Sequence, residues 1–213
     1  MTEDDAKNWL ESNFDVPRET WQRLARYVDM LLSEMDHQNL IAESTRDHVW
    51  ARHIVDSAQL LKLAEEPEDG LWLDLGSGAG LPGIVVAILS NHQVVMMESR
   101  RKRINFLNHV IGELALSNAK VHGGRVETAS PAKAAMISAR AYAPLDRLFS
   151  SALHLSTDKT TWLLPKGRNA QNELEAAQSA WQGVFHVERS ITDPESAIII
   201  ARSVAPRGKK GRQ

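Results

Sequence analysis

Asp74, Gly76, Gly78 and Gly80 stand two apart and run into Leu81-Pro82-Gly83, the stretch of this chain best suited to hold a ligand. The residues before and between them, Leu71, Trp72, Leu73 and Leu75, form an apolar run of the kind that makes a buried parallel strand. Glycines reach backbone conformations closed to other residues and let a ligand approach without Cβ atoms in the way. Pro82 suits the first turn of a helix, where its missing N–H has no intrahelical partner to lose. A plain tight turn needs one or two glycines. Four in this spacing, between a strand and a helix N-terminus, predict a cradle for an anionic or carboxylate-bearing nucleotide ligand.

Two ligand families share that cradle. Gly78-Ala79-Gly80-Leu81-Pro82-Gly83 satisfies the dinucleotide pattern G-x-G-x-x-G. With Asp74 ahead of it, the stretch becomes Asp-x-Gly-x-Gly-x-Gly, which resembles the first motif of S-adenosylmethionine-dependent methyltransferases. Roughly twenty residues on, the run Val94 to Met97 ends in Glu98, whose carboxylate can accept both ribose hydroxyls in either family. A second group with chemistry in it is Arg52, His53 and Asp56, set within one helical turn so that His53 and Asp56 can meet at i,i+3. It reads equally as a structural polar cluster or as part of a site. The 8 histidines show no i,i+4 pair and there is no cysteine, so no metal site is expected.

The elements that must position these residues follow from periodicity. Residues 3–13 read as a short helix, and apolar positions from Trp21 to Met35 recur at helical spacing. Thr45 reads as the N-cap of a helix running to about Leu63. Glu65 to Gly70 is a charged breaker segment and the natural boundary. Beyond it strands and helices alternate: strands at 71–75, 93–98, 119–122, 134–138 and 160–164, with helices at 82–90, 101–116, 144–155 and 169–181. Val184–Arg189 and Ala197–Arg202 flank Asp193-Pro194 as a closing antiparallel pair. Alternation predicts an α/β fold with a mostly parallel sheet, its ligands lying beyond the carboxyl ends of the strands. The expected organisation is a helical extension (1–66), a main domain (67–204) and a basic, disordered tail (205–213).

Composition narrows the class. The chain has 213 residues, 24% of them charged and 43% hydrophobic, and a net charge of −2. That is the profile of an ordinary globular protein with room for a sizeable core. Its acidic start and lack of a long apolar run predict a cytoplasmic protein with no membrane partner. Without cysteine it cannot form a thiolate adduct, the usual route to methylation at pyrimidine C5. Basic clusters at Arg101-Lys102-Arg103 and Lys166-Gly167-Arg168, with Arg207, Lys209, Lys210 and Arg212 in the tail, suit phosphate contact.

Several stretches in order resemble one family, the glucose-inhibited division protein B type of small-subunit rRNA guanine-N7 methyltransferase. They are Asn39-Leu40, Arg52-His53-Ile54-x-Asp56-Ser57, the loop from Asp74 to Gly83 and Glu98-Ser99-x-x-Lys102-x-x-x-Phe106-Leu107. Arg125-Val126-Glu127, Ser138-x-Arg140-Ala141 and Leu164-Pro165-Lys166-Gly167 complete the series. Ala139 separates Ser138 from Arg140, where the family pattern has serine and arginine adjacent.

The resemblance implies a Rossmann-like class I methyltransferase fold, a seven-stranded sheet ending in an antiparallel hairpin. It implies S-adenosylmethionine as cofactor, held at Gly76, Leu81, Val126, Glu127 and Arg140. Asp74, Gly78, Gly80 and Glu98 join that set on the physical reading above. Arg140, His53 and Asp56 are the candidates for catalysis. Arg52 and the basic clusters are the candidates for binding RNA. The implied partner is 16S rRNA or the assembling 30S subunit, modified in the 530 loop, with the enzyme a monomer.

The chemistry is consistent with such an acceptor. Methyl transfer from a sulfonium is an in-line displacement, so the enzyme mainly aligns two partners. An exocyclic amine needs more help, and enzymes acting on one carry an (Asp/Asn)-Pro-Pro-(Tyr/Phe) turn after the fourth strand. This chain has Ser138-Ala139-Arg140-Ala141 there. Guanine N7 carries an in-plane lone pair and has no proton to lose. The alternatives are a module that senses S-adenosylmethionine or a nucleotide without turnover, and a small-molecule methyltransferase.

Overall fold

The computed structural model describes residues 1–64, 70–130 and 132–208. Residues 65–69 of the expected boundary segment and the tail residues Lys209, Lys210 and Arg212 lie outside the described residues. Seven strands form one sheet: β1 (Leu71–Leu75), β2 (Gln93–Glu98), β3 (Ala119–Gly123), β4 (Met136–Ser138), β5 (Thr161–Lys166), β6 (Trp181–Arg189) and β7 (Ala197–Pro206). Their spatial order is β3-β2-β1-β4-β5-β7-β6. The first five run parallel, and β7 is antiparallel to both β5 and β6. The strand order reverses direction between β1 and β4, which makes the crevice beyond their carboxyl ends the place where an open sheet binds its ligand.

Strand periodicity divides the core. Trp72, Val94 and Met96 pack on one face, and Leu73, Leu75, Val95 and Met97 on the other, as a period of two requires. The first face is covered by α4 (Gly83–Leu89), α5 (Arg101–Glu113) and the extension helices α1 (Glu3–Asn13), α2 (Arg18–Glu34) and α3 (Asp56–Leu63). Leu24, Tyr27 and Leu31 of α2 share one apolar cluster with Ile84, Val85 and Leu107, so the extension has no separate core. The second face is covered by α6 (Leu145–Ala152) and α7 (Ala170–Ala177). Among the described residues no helix is long and apolar enough to cross a membrane.

Three expectations are corrected. The tail does not begin at 205: β7 runs on to Pro206, and Arg207 N donates to Ala180 O at 2.7 Å. Thr45 caps no helix: the chain makes a 3-10 turn over Glu43–His48 and a π-helical turn over Trp50–Val55 before α3 begins. Glu3 accounts for the start of the π turn, its two carboxylate oxygens accepting from Trp50 N at 3.0 Å and Ala51 N at 2.9 Å. Trp181 does not close the helix before it. It opens β6, donating Nε1–H to Asp146 at 2.7 Å and setting its ring 5.4 Å from Phe149.

Candidate active site

The glycine loop leaves β1 tied to the end of β2. Gly76 N and Ser77 N donate to Met97 O at 2.8 and 3.1 Å. Beneath the loop Asp74 is fully buried, accepting from Ser138 Oγ at 2.9 Å and from Gly83 N at 3.2 Å. Trp72 Nε1 donates to the same Ser138 hydroxyl at 2.8 Å, so β1, β4 and the start of α4 share one buried polar chain. Burial pushes the Asp74 carboxyl up to about 6, against the pull of its hydrogen bonds and of the Arg140 charge. Gly83 has no room for a side chain, since a Cβ there would lie 2.6 Å from Met96 Cγ. The Leu81–Pro82 peptide before α4 is cis.

Glu98 is 5% exposed and works on the loop from the other side. Its Oε2 accepts from Gly78 N at 3.0 Å, and its Oε1 from Ser99 N at 2.7 Å and Arg100 N at 2.8 Å. A carboxylate has about four lone-pair sites, so three backbone donors leave about one for a hydroxyl. Glu98 lines a cavity of about 200 Å³ together with Gly76, Val126, Glu127, Tyr142 and Arg147. Its carboxylate beside an apolar wall at Val126, over a glycine that carries no Cβ, suits a ribose and an adenine.

A second cavity, of about 510 Å³, opens where the π turn, the loop after β4 and the end of β5 converge. Arg140 organises it. One guanidinium nitrogen lies 3.0 Å from His53 Nδ1 and the other 3.3 Å from Asp56 Oδ2. Arginine has only donors, so His53 Nδ1 accepts and Nε2 carries the hydrogen. That hydrogen goes to Thr45 Oγ1 at 2.7 Å, and Thr45 donates in turn to Ala42 O at 2.7 Å. Burial and the charges of Arg140 and Arg52 hold the His53 imidazole down at about 3. It is neutral and has no free lone pair. Asp56 is as fully engaged, accepting at Oδ1 from Thr192 Oγ1 at 2.8 Å and Gln59 Nε2 at 2.9 Å. Arg52 reaches Asp193 at 2.8 Å.

Comparison with known proteins identifies the family of the chain. A model of the family described as rRNA small subunit methyltransferase G matches residues 20–199. The ribosomal RNA small subunit methyltransferase G of Sphingopyxis alaskensis is 50% identical over 97% of this chain and 89% of its own length. The protein of the same name from Rhizorhabdus wittichii is 51% identical, covering 100% of this chain and 99% of its own. The chain belongs to the rRNA small subunit methyltransferase G family. Among solved structures the chain is similar to an S-adenosylmethionine-dependent methyltransferase from Aquifex aeolicus, with a TM-score of 0.57 and 13% identity over 81% of this chain and 96% of that one. The ribosomal protein L11 methylase of Lactobacillus delbrueckii subsp. bulgaricus gives 0.59 and 13% over 71% and 79%. At that identity the likeness concerns the fold, the class I fold of S-adenosylmethionine-dependent methyltransferases.

In this family member the expected site residues fall into separate groups. Gly76, Glu98, Val126 and Glu127 line the smaller cavity. Asp74 and Leu81 are buried, Asp74 under the loop and Leu81 in the core, and Gly78 and Gly80 shape the loop. Arg140 joins Arg52, His53 and Asp56 at the larger cavity. His53 and Asp56 meet through Arg140. Of the basic residues, Lys166 is committed to Glu173 at 2.6 Å and Ala143 O at 2.9 Å, and Arg168 pairs with Glu195 at 3.5 Å. Arg103 sits 3.8 Å from Glu98, Arg101 and Lys102 are exposed, and Arg207 donates to Trp181 O at 3.1 Å. No three His, Asp or Glu side chains converge as a metal site among the described residues. The sequence reading passed over Tyr142, which lines both cavities, and Tyr27, whose hydroxyl bonds the glycine loop. The position of Tyr142 just past β4, at the carboxyl end of the sheet, was the available signal for the first.

Proposed function

We propose that the chain methylates N7 of a guanine in the 530 loop of 16S rRNA, using S-adenosylmethionine bound in the smaller cavity. The observation that carries the acceptor assignment is the state of the Arg140 cluster. A cation is held at the larger cavity by a neutral His53 and an engaged Asp56, so this cluster presents donors and no free base to an acceptor. Such a site suits an acceptor that is already nucleophilic and has no proton to give up. Guanine N7 is that acceptor, and the neighbouring O6 can take a hydrogen bond from a guanidinium.

Bound in the cradle, S-adenosylmethionine supplies an electrophilic methyl group. The residues of the chain supply position. Glu98 holds the ribose while keeping the loop closed through Gly78, and Val126 with Glu127 faces the adenine. Arg140 orients the acceptor base, and the Thr45–His53 pair and Asp56 fix the guanidinium so that it costs little to align. Arg52, Arg101, Lys102 and Arg207 meet phosphates along the approach, joined by Lys209, Lys210 and Arg212 of the tail.

The test is product identity. RNA treated with the protein and isotopically labelled cofactor is digested to nucleosides and separated by mass. Label in 7-methylguanosine supports the reading. Label in any other nucleoside contradicts it, and cofactor binding without transfer to any RNA would make the chain a sensor.

A further inference from the structure

Tyr142 stands where the two cavities meet. Among the described residues it is the one that lines both. Its ring lies directly on Gly76: a Cβ built there would be 2.6 Å from Tyr142 Cδ2 and 3.4 Å from Cε2. Gly76, at φ +67°, therefore seats an aromatic ring as well as turning the chain. The space over Gly76 is also the floor of the smaller cavity, whose roughly 200 Å³ falls short of the 300 Å³ or more usual for a ligand of cofactor size.

The ring packs at the margin of the second core face and not inside it. Its hydroxyl donates to Ser151 Oγ over a long 3.3 Å, and the side chain is only half-buried. The residue before it, Ala141, is exposed and has φ +51°, a left-handed conformation that residues with a Cβ rarely adopt. Backbone strain of that sort collects at sites where a side chain has to be aimed. On its other side the ring faces the acceptor cavity, whose remaining described ring-bearing residues are His53, with both nitrogens engaged, and the prolines Pro144 and Pro165.

We propose that Tyr142 is the movable partition of this site: its ring leaves Gly76 as the cofactor enters and becomes the wall against which the acceptor base stacks. The inference rests on the methyltransferase reading above. A base taken out of an RNA stack loses its neighbours, and an aromatic side chain replaces them without regard to sequence. Tyr142 is thus a positioning residue for the acceptor, and the glycine at 76 serves the ring before it serves the ligand.

The test compares the full-length protein with Tyr142→Leu and Tyr142→Phe. Association of S-adenosylhomocysteine is followed by stopped-flow fluorescence and its affinity by calorimetry. Methylation of small-subunit RNA is then measured at varied RNA concentration. Tyr142→Leu should take up the ligand faster, with affinity equal to or tighter than that of the wild type, because no ring has to leave Gly76. Its kcat/KM for RNA should fall about tenfold to a hundredfold, the usual worth of one stacked base. Tyr142→Phe should recover most of that loss while associating as slowly as the wild type. Unchanged association in the leucine variant, or an RNA defect that phenylalanine does not recover, overturns the proposal. Should the leucine variant melt well below the wild type, Tyr142→Met repeats the test. If the wild type methylates no RNA at all, the functional reading fails, and the association rates still decide whether the ring is a partition.

Discussion

The hydroxyl of Tyr27, in α2, donates to the carbonyl oxygen of Ala79 in the glycine loop across 2.9 Å, and both residues are buried. Burial pushes the Tyr27 phenol far above its ordinary range, so it stays protonated and keeps donating. The extension therefore braces the glycine loop directly. Tyr27→Phe would leave a buried carbonyl without its donor, at about 1–3 kcal/mol. Calorimetry should show weaker S-adenosylmethionine binding in a protein whose circular dichroism is unchanged. Wild-type affinity in that variant would reduce the extension to packing.

Glu98→Gln should weaken cofactor binding about tenfold to a hundredfold, the equivalent of about 1.5–3 kcal/mol for a hydrogen bond to a charged group. Two effects add there. The amide has one acceptor oxygen for the three backbone donors that Glu98 now satisfies, and it loses the charge that draws a ribose hydroxyl. The rate of transfer at saturating cofactor should change little. Unchanged affinity would remove Glu98 from the site.

Arg140→Lys keeps the charge and loses the fork that spans His53 and Asp56. About a hundredfold loss in kcat/KM for RNA is expected, the scale of a misplaced acceptor, with cofactor affinity close to wild type. A cofactor affinity that fell in parallel would put Arg140 on the smaller cavity instead.

Acid should reveal His53 and Asp74 with opposite signs. His53 titrates at about 3 folded against 6.5 unfolded, so the unfolded chain binds the extra proton and stability falls as pH drops from 6.5 toward 3. Asp74 titrates at about 6 folded against 3.8 unfolded, so its contribution is full below pH 4 and is lost as pH rises through 6. His53→Asn should flatten the first slope and Asp74→Asn the second in denaturant melts taken from pH 4 to 7. Identical pH profiles for wild type and both variants would mean that neither group is perturbed.

What the sequence made legible was whatever repeats locally. The apolar runs at 71–75 and 93–98 became β1 and β2, paired in parallel from Leu71 with Gln93 to Leu75 with Met97, and the glycine spacing became the loop. Trp181 was misplaced because Leu174, Ala177 and Trp181 continue a helical spacing past the residue where the helix stops. Thr45 was misplaced because the π turn after it depends on Glu3, 47 residues away from Trp50. Arg140, His53 and Asp56 could be named as chemistry, yet their meeting spans 87 and 84 positions. The basic clusters showed their sign but not their partners, and Lys166 proved to be held by Glu173.

The central claim is tested most directly by mapping the product on RNA. The protein is incubated with labelled S-adenosylmethionine and small-subunit particles or their RNA, and the RNA is then cleaved chemically at N7-methylguanine. A single cleavage in the 530 loop, dependent on protein and cofactor and weakened by added salt, is the predicted result. Label incorporated with no such cleavage, or found only on a small molecule, would contradict the account.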